Sequence, residues 1–132
     1  MITKPFSELL QRFSKIEFAE NFDMIVAVAN GGIIPAAIIN QRLNIEFNLL
    51  KINYRNEFQQ PKFNTPKLLE EINFDFKNRV ILLVEDRVKT GASLKKAVEL
   101  LSDAKLVKTF AVNGNADYFL YNENCFKFPW NI

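Results

Sequence analysis

Two adjacent carboxylates, Glu85 and Asp86, stand just before Lys89-Thr90-Gly91-Ala92-Ser93, and no other stretch of the chain gathers so many groups capable of chemistry. The apolar run Val80-Ile81-Leu82-Leu83-Val84 leads into it, and Leu94, Ala97, Val98, Leu100 and Leu101 recur at helical spacing after it, so the segment reads strand, turn, helix. A helix start presents unpaired N–H groups and the positive end of the helix dipole, which attract a phosphate. Gly91 lets the backbone of this turn, with Ala92, approach such a group closely, and Thr90 and Ser93 can donate hydroxyl hydrogen bonds. The neighbouring carboxylates suit sugar hydroxyls or the waters of Mg²⁺. A phosphorylated sugar satisfies the whole set. The same residues also fit a purely structural reading, in which the acids end a strand and Thr90 or Ser93 caps a helix.

A second turn of unusual composition, Asn30-Gly31-Gly32, follows the apolar run Met24 to Val28 and precedes a helix expected from about Pro35 to Leu43. In open parallel sheets the ligand crevice lies beyond the carboxyl ends of the strands, where both turns would fall. A Gly pair also serves any tight turn. The three spaced glycines of a dinucleotide fingerprint are absent.

The elements that position these turns alternate between strand and helix. Phe6, Leu9, Leu10, Phe13 and Ile16 predict an amphipathic helix after Pro5, and strands are expected at Ile45 to Tyr54, Arg79 to Val84, Lys105 to Val112 and, briefly, Phe126 to Phe128. Asn56 to Pro66 reads as a polar loop and Lys67 to Ile72 as a short helix. The pattern implies an α/β fold with a mostly parallel central sheet flanked by helices, in one domain spanning residues 1–132.

Composition removes other classes. Seventeen Lys and Arg against 15 Asp and Glu leave a net charge of +2, too balanced for an electrostatically driven nucleic-acid binder. Histidine is absent, so Ser-His and Cys-His catalysis and the usual zinc nitrogen ligand are excluded. Cys125 is the lone cysteine, which forbids an intrachain disulfide and is expected to be a small buried apolar residue. Met24 to Ile39 is too short and too interrupted for a bilayer, which needs about 20 apolar residues, and no signal peptide precedes it. A soluble cytoplasmic protein is expected. Thirteen Phe residues point to aromatic core packing, with some exposed enough to support self-association.

Leu82-Leu83-Val84-Glu85-Asp86-Arg87-Val88-Lys89-Thr90-Gly91-Ala92-Ser93 resembles the signature of type I phosphoribosyltransferases: apolar residues, an acidic pair, two further positions and a Thr-containing phosphate turn. Val26 to Ala37, with Asn30-Gly31-Gly32 at its centre, looks like that family's pyrophosphate loop, and the order and spacing of the two turns agree. Phe128-Pro129-Trp130 is similar to the ending of some purine phosphoribosyltransferases, although a Trp packing the chain end is an equal reading. The resemblance implies the type I phosphoribosyltransferase fold and transfer of the phosphoribosyl group from phosphoribosyl pyrophosphate to a nucleobase, helped by Mg²⁺. It makes Glu85, Asp86 and Lys89 the candidate catalytic residues, with Glu85 and Asp86 reaching the metal through ribose hydroxyls or waters. It gives Thr90, Gly91, Ala92 and Ser93 the 5′-phosphate, Asn30, Gly31 and Gly32 the pyrophosphate, and Trp130 the base.

Four positions depart from the family pattern. Purine-specific members carry Asp where this chain has Lys89, and a lysine takes over that proton-sharing part only if its pKa is strongly depressed. Lys89 can instead add positive charge near a phosphate. Asn30 replaces a usual Arg or Lys and neutralises no charge, Arg87 replaces an aliphatic residue, and Cys125 falls near the place of a base-stacking Trp. Arg55 to Lys67 matches the position of a flexible lid, with Arg55, Lys62 and Lys67 as pyrophosphate contacts, or is a plain solvated loop. These departures motivate an alternative, a nucleotide-binding or regulatory protein that kept the phosphate cradle without catalysis. A receiver domain, suggested by the acidic pair, is excluded because the strand bearing the pair should open the chain and a phosphoacceptor Asp should follow.

Overall fold

The computed structural model of the chain describes residues 1–53, 67–68 and 70–132. Met24–Ala29 contains no polar side chain and forms β1, all six of whose residues are buried. A strand apolar on both faces must be covered on both, and β1 accordingly lies inside the sheet with parallel neighbours on either side. These are β2 (Glu46–Asn53) and β4 (Val80–Arg87), and the sheet continues through β5 (Leu106–Asn113) to β6 (Tyr118–Tyr121). The two-residue strand β3 (Lys67–Leu68) adds antiparallel to β2, giving the order β3-β2-β1-β4-β5-β6. The expected mostly parallel α/β architecture is the one observed.

Alternation along β1 and β4 divides the core in two. Ile25, Ala27, Leu82 and Val84 pack with α1 (Phe6–Lys15) through Leu9 and Phe13, and with α2 (Ile33–Leu43) through Ala36 and Ile39. Met24, Val26, Val28, Ile81 and Leu83 pack on the other face with Leu94 and Ala97 of α3 (Ala92–Leu100). Arg42 of α2 donates to the carbonyls of Phe13 and Ile16 at 2.9 and 2.8 Å, closing the orphan end of α1, and Arg12 ties α1 to the Leu120 carbonyl on β6 at 2.8 Å.

Several expectations need correction. The strand expected at Phe126 to Phe128 is an isolated bridge between Lys127 and Thr3, because those phenylalanines turn into the aromatic core; β6 takes the sheet edge instead. The helix expected over Lys67 to Ile72 is absent: Lys67–Leu68 extends along β2, and residues 70–72 are not helical. Cys125 is exposed rather than buried, sitting in the turn before Phe126. The strand expected from Ile45 starts at Glu46; its end at Tyr54, the polar loop at 56–66, and Arg55 and Lys62 of the expected lid lie outside the described residues. Phe13, Phe22, Phe110, Phe126 and Phe128 are buried, whereas Phe6 and Phe119 are exposed.

β4 runs three residues beyond the expected end at Val84, since its pairing with β5 persists through Glu85↔Ala111 and Arg87↔Asn113. The acidic pair therefore rides on a strand and is held by the sheet itself.

Gly32 locks the first turn onto this strand. A Cβ there would stand 2.2 Å from the Val84 carbonyl oxygen and 2.8 Å from that of Val28, and backbone at the ends of two central strands cannot give way. We expect Gly32→Ala to lower the unfolding free energy by about 1–3 kcal/mol, read by urea denaturation.

Candidate functional site

The carboxyl ends of β1, β4 and β5 lie side by side, and the candidate residues gather there because the sheet is parallel. Asn30 follows β1 directly, through a cis Ala29–Asn30 peptide. Gly32 N–H donates to the Val28 carbonyl at 2.8 Å and Ile33 N–H to the Asn30 carbonyl at 3.1 Å, so the turn winds tightly into α2. A Cβ on Gly31 would lie 2.6 Å from Asp86 Cγ and both its carboxylate oxygens. Gly31 is thus pressed against Asp86, so the first turn lies beside the strand end from which the second departs.

The acids are held by the backbone that follows each: Asp86 N–H donates to Glu85 Oε1 at 3.0 Å and Arg87 N–H to Asp86 Oδ1 at 2.6 Å. Glu85 keeps a narrow opening to solvent, yet burial among protein atoms, and secondarily the adjacent Asp86 carboxylate, push its carboxyl well above the usual range. Two carboxyls kept this close, one of them disfavoured as an anion, have a use for hydroxyl donors or a cation. Among the described residues no three acidic, Cys or His side chains cluster as a metal cage. The donor set nevertheless fits Mg²⁺, which is commonly held by one or two carboxylates and completed by waters and ligand phosphates; Glu85 and Asp86 are the residues that would face it.

Beyond Arg87 the chain leaves the sheet and enters α3. Gly91 is its N-cap in the left-handed region, at φ 82°, with open space where a Cβ would point. Thr90 Oγ1 accepts the Ala92 N–H at 3.2 Å from just outside the helix, and no side chain caps α3, so the reading of Thr90 or Ser93 as its cap gives way to Gly91. The first turn of α3 carries no acid, and Lys89, Lys95 and Lys96 stand around it, leaving the positive end of the helix uncompensated. Lys89 and Thr90 are exposed and Ala92 and Ser93 half-buried.

Trp130 belongs to the C-terminal aromatic segment. Its ring stacks on Phe128 at 5.0 Å and 12°, and meets Phe6 edge-on at 6.3 Å. Two residues not counted among the candidate site residues join this segment to the strand ends. Arg87 Nη2 donates to the Phe126 carbonyl. The buried side chain of Asn113 accepts Glu123 N–H at 3.0 Å and donates to the Glu123 carbonyl at 3.2 Å. In sequence, Asn113 before Gly114 looks like an ordinary turn residue, and only its burial reveals the work it does.

The family model described as Phosphoribosyl transferase domain matches residues 4–119. An orotate phosphoribosyltransferase of Sulfurisphaera tokodaii is 37% identical over 82 residues, 62% of this chain but only 37% of that protein. A xanthine-guanine phosphoribosyltransferase of Idiomarina loihiensis is 26% identical over 121 residues, 86% of this chain and 74% of that one. Among solved structures, a purine phosphoribosyltransferase from Pyrococcus horikoshii superposes with a TM-score of 0.80 at 22% identity, covering 98% of this chain and 92% of that one.

The raised Glu85 carboxyl has a consequence for stability. Its proton is held more tightly in the fold than in the unfolded chain, so ionisation costs the fold stability as pH rises from the ordinary carboxylate range through the raised folded value. Glu85→Gln removes that cost. We expect the variant to melt about 2–5 °C above the parent at pH 7.5, with the gap closing as pH falls toward the ordinary carboxylate range, followed by calorimetry across pH.

Proposed function

The chain belongs to the phosphoribosyltransferase family, and from that premise we propose that it transfers the 5-phosphoribosyl group of phosphoribosyl pyrophosphate to a nucleobase. The observation that carries this reading is the contact of Gly31 with the Asp86 carboxylate, which joins a pyrophosphate-type turn to a ribose-phosphate-type turn across adjacent strand ends.

In this reading the 5′-phosphate sits at the start of α3, on the backbone of Gly91 and Ala92 and the hydroxyls of Thr90 and Ser93. Glu85 and Asp86 take the ribose hydroxyls, which fixes the sugar between the two turns. The Asn30-Gly31-Gly32 backbone receives the pyrophosphate. As the bond from the anomeric carbon to the pyrophosphate oxygen breaks, its electron pair leaves with the pyrophosphate, and a ring nitrogen of the base forms the new bond from the opposite face and gives up its proton to solvent water. Positive charge develops on the sugar ring in the transition state, and the adjacent carboxylates stabilise it where it appears. Mg²⁺, when bound, offsets the charge gathering on the departing pyrophosphate, which Asn30 cannot neutralise. Lys89 adds positive charge beside the phosphate rather than accepting the proton of the base. Trp130 stacks on the base.

The same reading makes the protein a homodimer of the cytoplasm, and the exposed Phe6, Leu10 and Phe119 on α1 and β6 support a self-associating face. Among the described residues no helix is long and apolar enough to cross a membrane.

Pyrophosphate release from phosphoribosyl pyrophosphate and Mg²⁺ should be seen with at least one of guanine, hypoxanthine, xanthine, adenine, orotate and uracil. Silence with every base contradicts transfer. With the best acceptor, Asp86→Asn should lower kcat/KM by about a hundredfold or more while leaving the protein folded.

A further inference from the structure

Arg87 holds an unusual position. It follows the acidic pair on β4, and its guanidinium is half-buried without a carboxylate partner among the described residues. Instead it turns to the C-terminal segment. Nη2 donates to the Phe126 carbonyl, and Cζ stands 4.7 Å from the centroid of the Phe128 ring. Among the described residues this is the one hydrogen bond that links β4 to the segment 126–130. Among the described residues neither Arg87 Nε nor Trp130 Nε1, both buried, has an acceptor. A guanidinium so placed gains a charge-assisted bond and a cation–π contact.

The segment it grips carries an aromatic ring at every second residue, Phe126, Phe128 and Trp130. Phe126 meets Phe128 edge-on at 5.2 Å, and Phe128, fully buried, stacks on Trp130. Its other tether is the chain's N-terminus: Lys127 N–H donates to the Ile2 carbonyl at 2.8 Å, and Lys4 N–H to the Lys127 carbonyl at 3.3 Å. Without Arg87, the aromatic segment would remain attached to residues 2–4 and to the core but lose its hydrogen bond to the strand that bears Glu85 and Asp86.

We propose that Arg87 is a positioning residue that fixes the Phe126–Trp130 segment against the sugar site and thereby sets affinity for the base of a bound nucleotide. The proposal rests on the phosphoribosyl reading for its ligand, but not for its structural half. Arg87 touches the segment and leaves the sugar and phosphate to Glu85, Asp86 and the start of α3, so its loss separates base recognition from phosphate recognition.

Trp130 is the sole tryptophan, so its emission reports the segment directly. The test compares the parent with Arg87→Leu and Arg87→Lys, reading Trp130 emission and iodide quenching. Calorimetry adds binding of ribose 5-phosphate and of the tightest among inosine, guanosine, adenosine and orotidine 5′-monophosphates. In Arg87→Leu we expect red-shifted, more quenchable emission, nucleotide affinity lower by about tenfold or more, and ribose 5-phosphate affinity within about twofold of the parent. Arg87→Lys, which keeps a charged donor, should recover much of both signals. If Arg87→Leu fails to fold, Arg87→Met, which keeps the length of the side chain, carries the same expectations. Equal loss of both ligands, or unchanged emission, overturns the proposal. A parent that binds neither probe contradicts the proposed function, and the emission comparison then decides the role of Arg87 alone.

Discussion

The site depends on one close approach: the backbone of Gly31-Gly32 lies against the end of β4, with Gly32 over the Val84 carbonyl and Gly31 over the Asp86 carboxylate. No residue with a side chain fits at either point without displacing something. Because β1 and β4 are neighbours in a parallel sheet, this contact brings two turns that are far apart in sequence to one edge. Asp86 sits on a paired strand and is covered by the Gly31 backbone.

The charge around that edge is segregated by the same geometry. Carboxylates occupy the last residues of β4, where burial already disfavours one of them as an anion, while the uncompensated start of α3 and three lysines lie a few residues further along. A ligand carrying hydroxyls, or a bound cation, at one end and a phosphate at the other answers both needs.

Much of this was legible in the residues. Continuous apolar runs at Met24 and Val80, each followed by a glycine-bearing turn and a helical period, marked the strands, the helices and both turns, because a strand buried on two faces leaves an unambiguous trace. The periphery was less clear. Phe126 to Phe128 is as apolar as a strand but serves as a set of core aromatics, and Tyr118–Tyr121 is a short edge strand whose pairing, not its composition, defines it. The extension of β4 through Glu85, Asp86 and Arg87 was hidden for a similar reason: charged residues stop an apolar run but do not stop a ladder supported by β5. Arg87 and Asn113 act through backbone carbonyls distant in sequence, and no spacing rule points to such partners.

The central claim is that the two turns make a single ligand site, and amide NMR during titration with phosphoribosyl pyrophosphate and Mg²⁺ tests it most directly. The account predicts that the amides of Gly31, Gly32, Gly91, Ala92 and Ser93 shift together along one binding curve, while those of α1 around Ser7 and Gln11 stay in place. Shifts confined to one turn, or two turns saturating at different ligand concentrations, would contradict it.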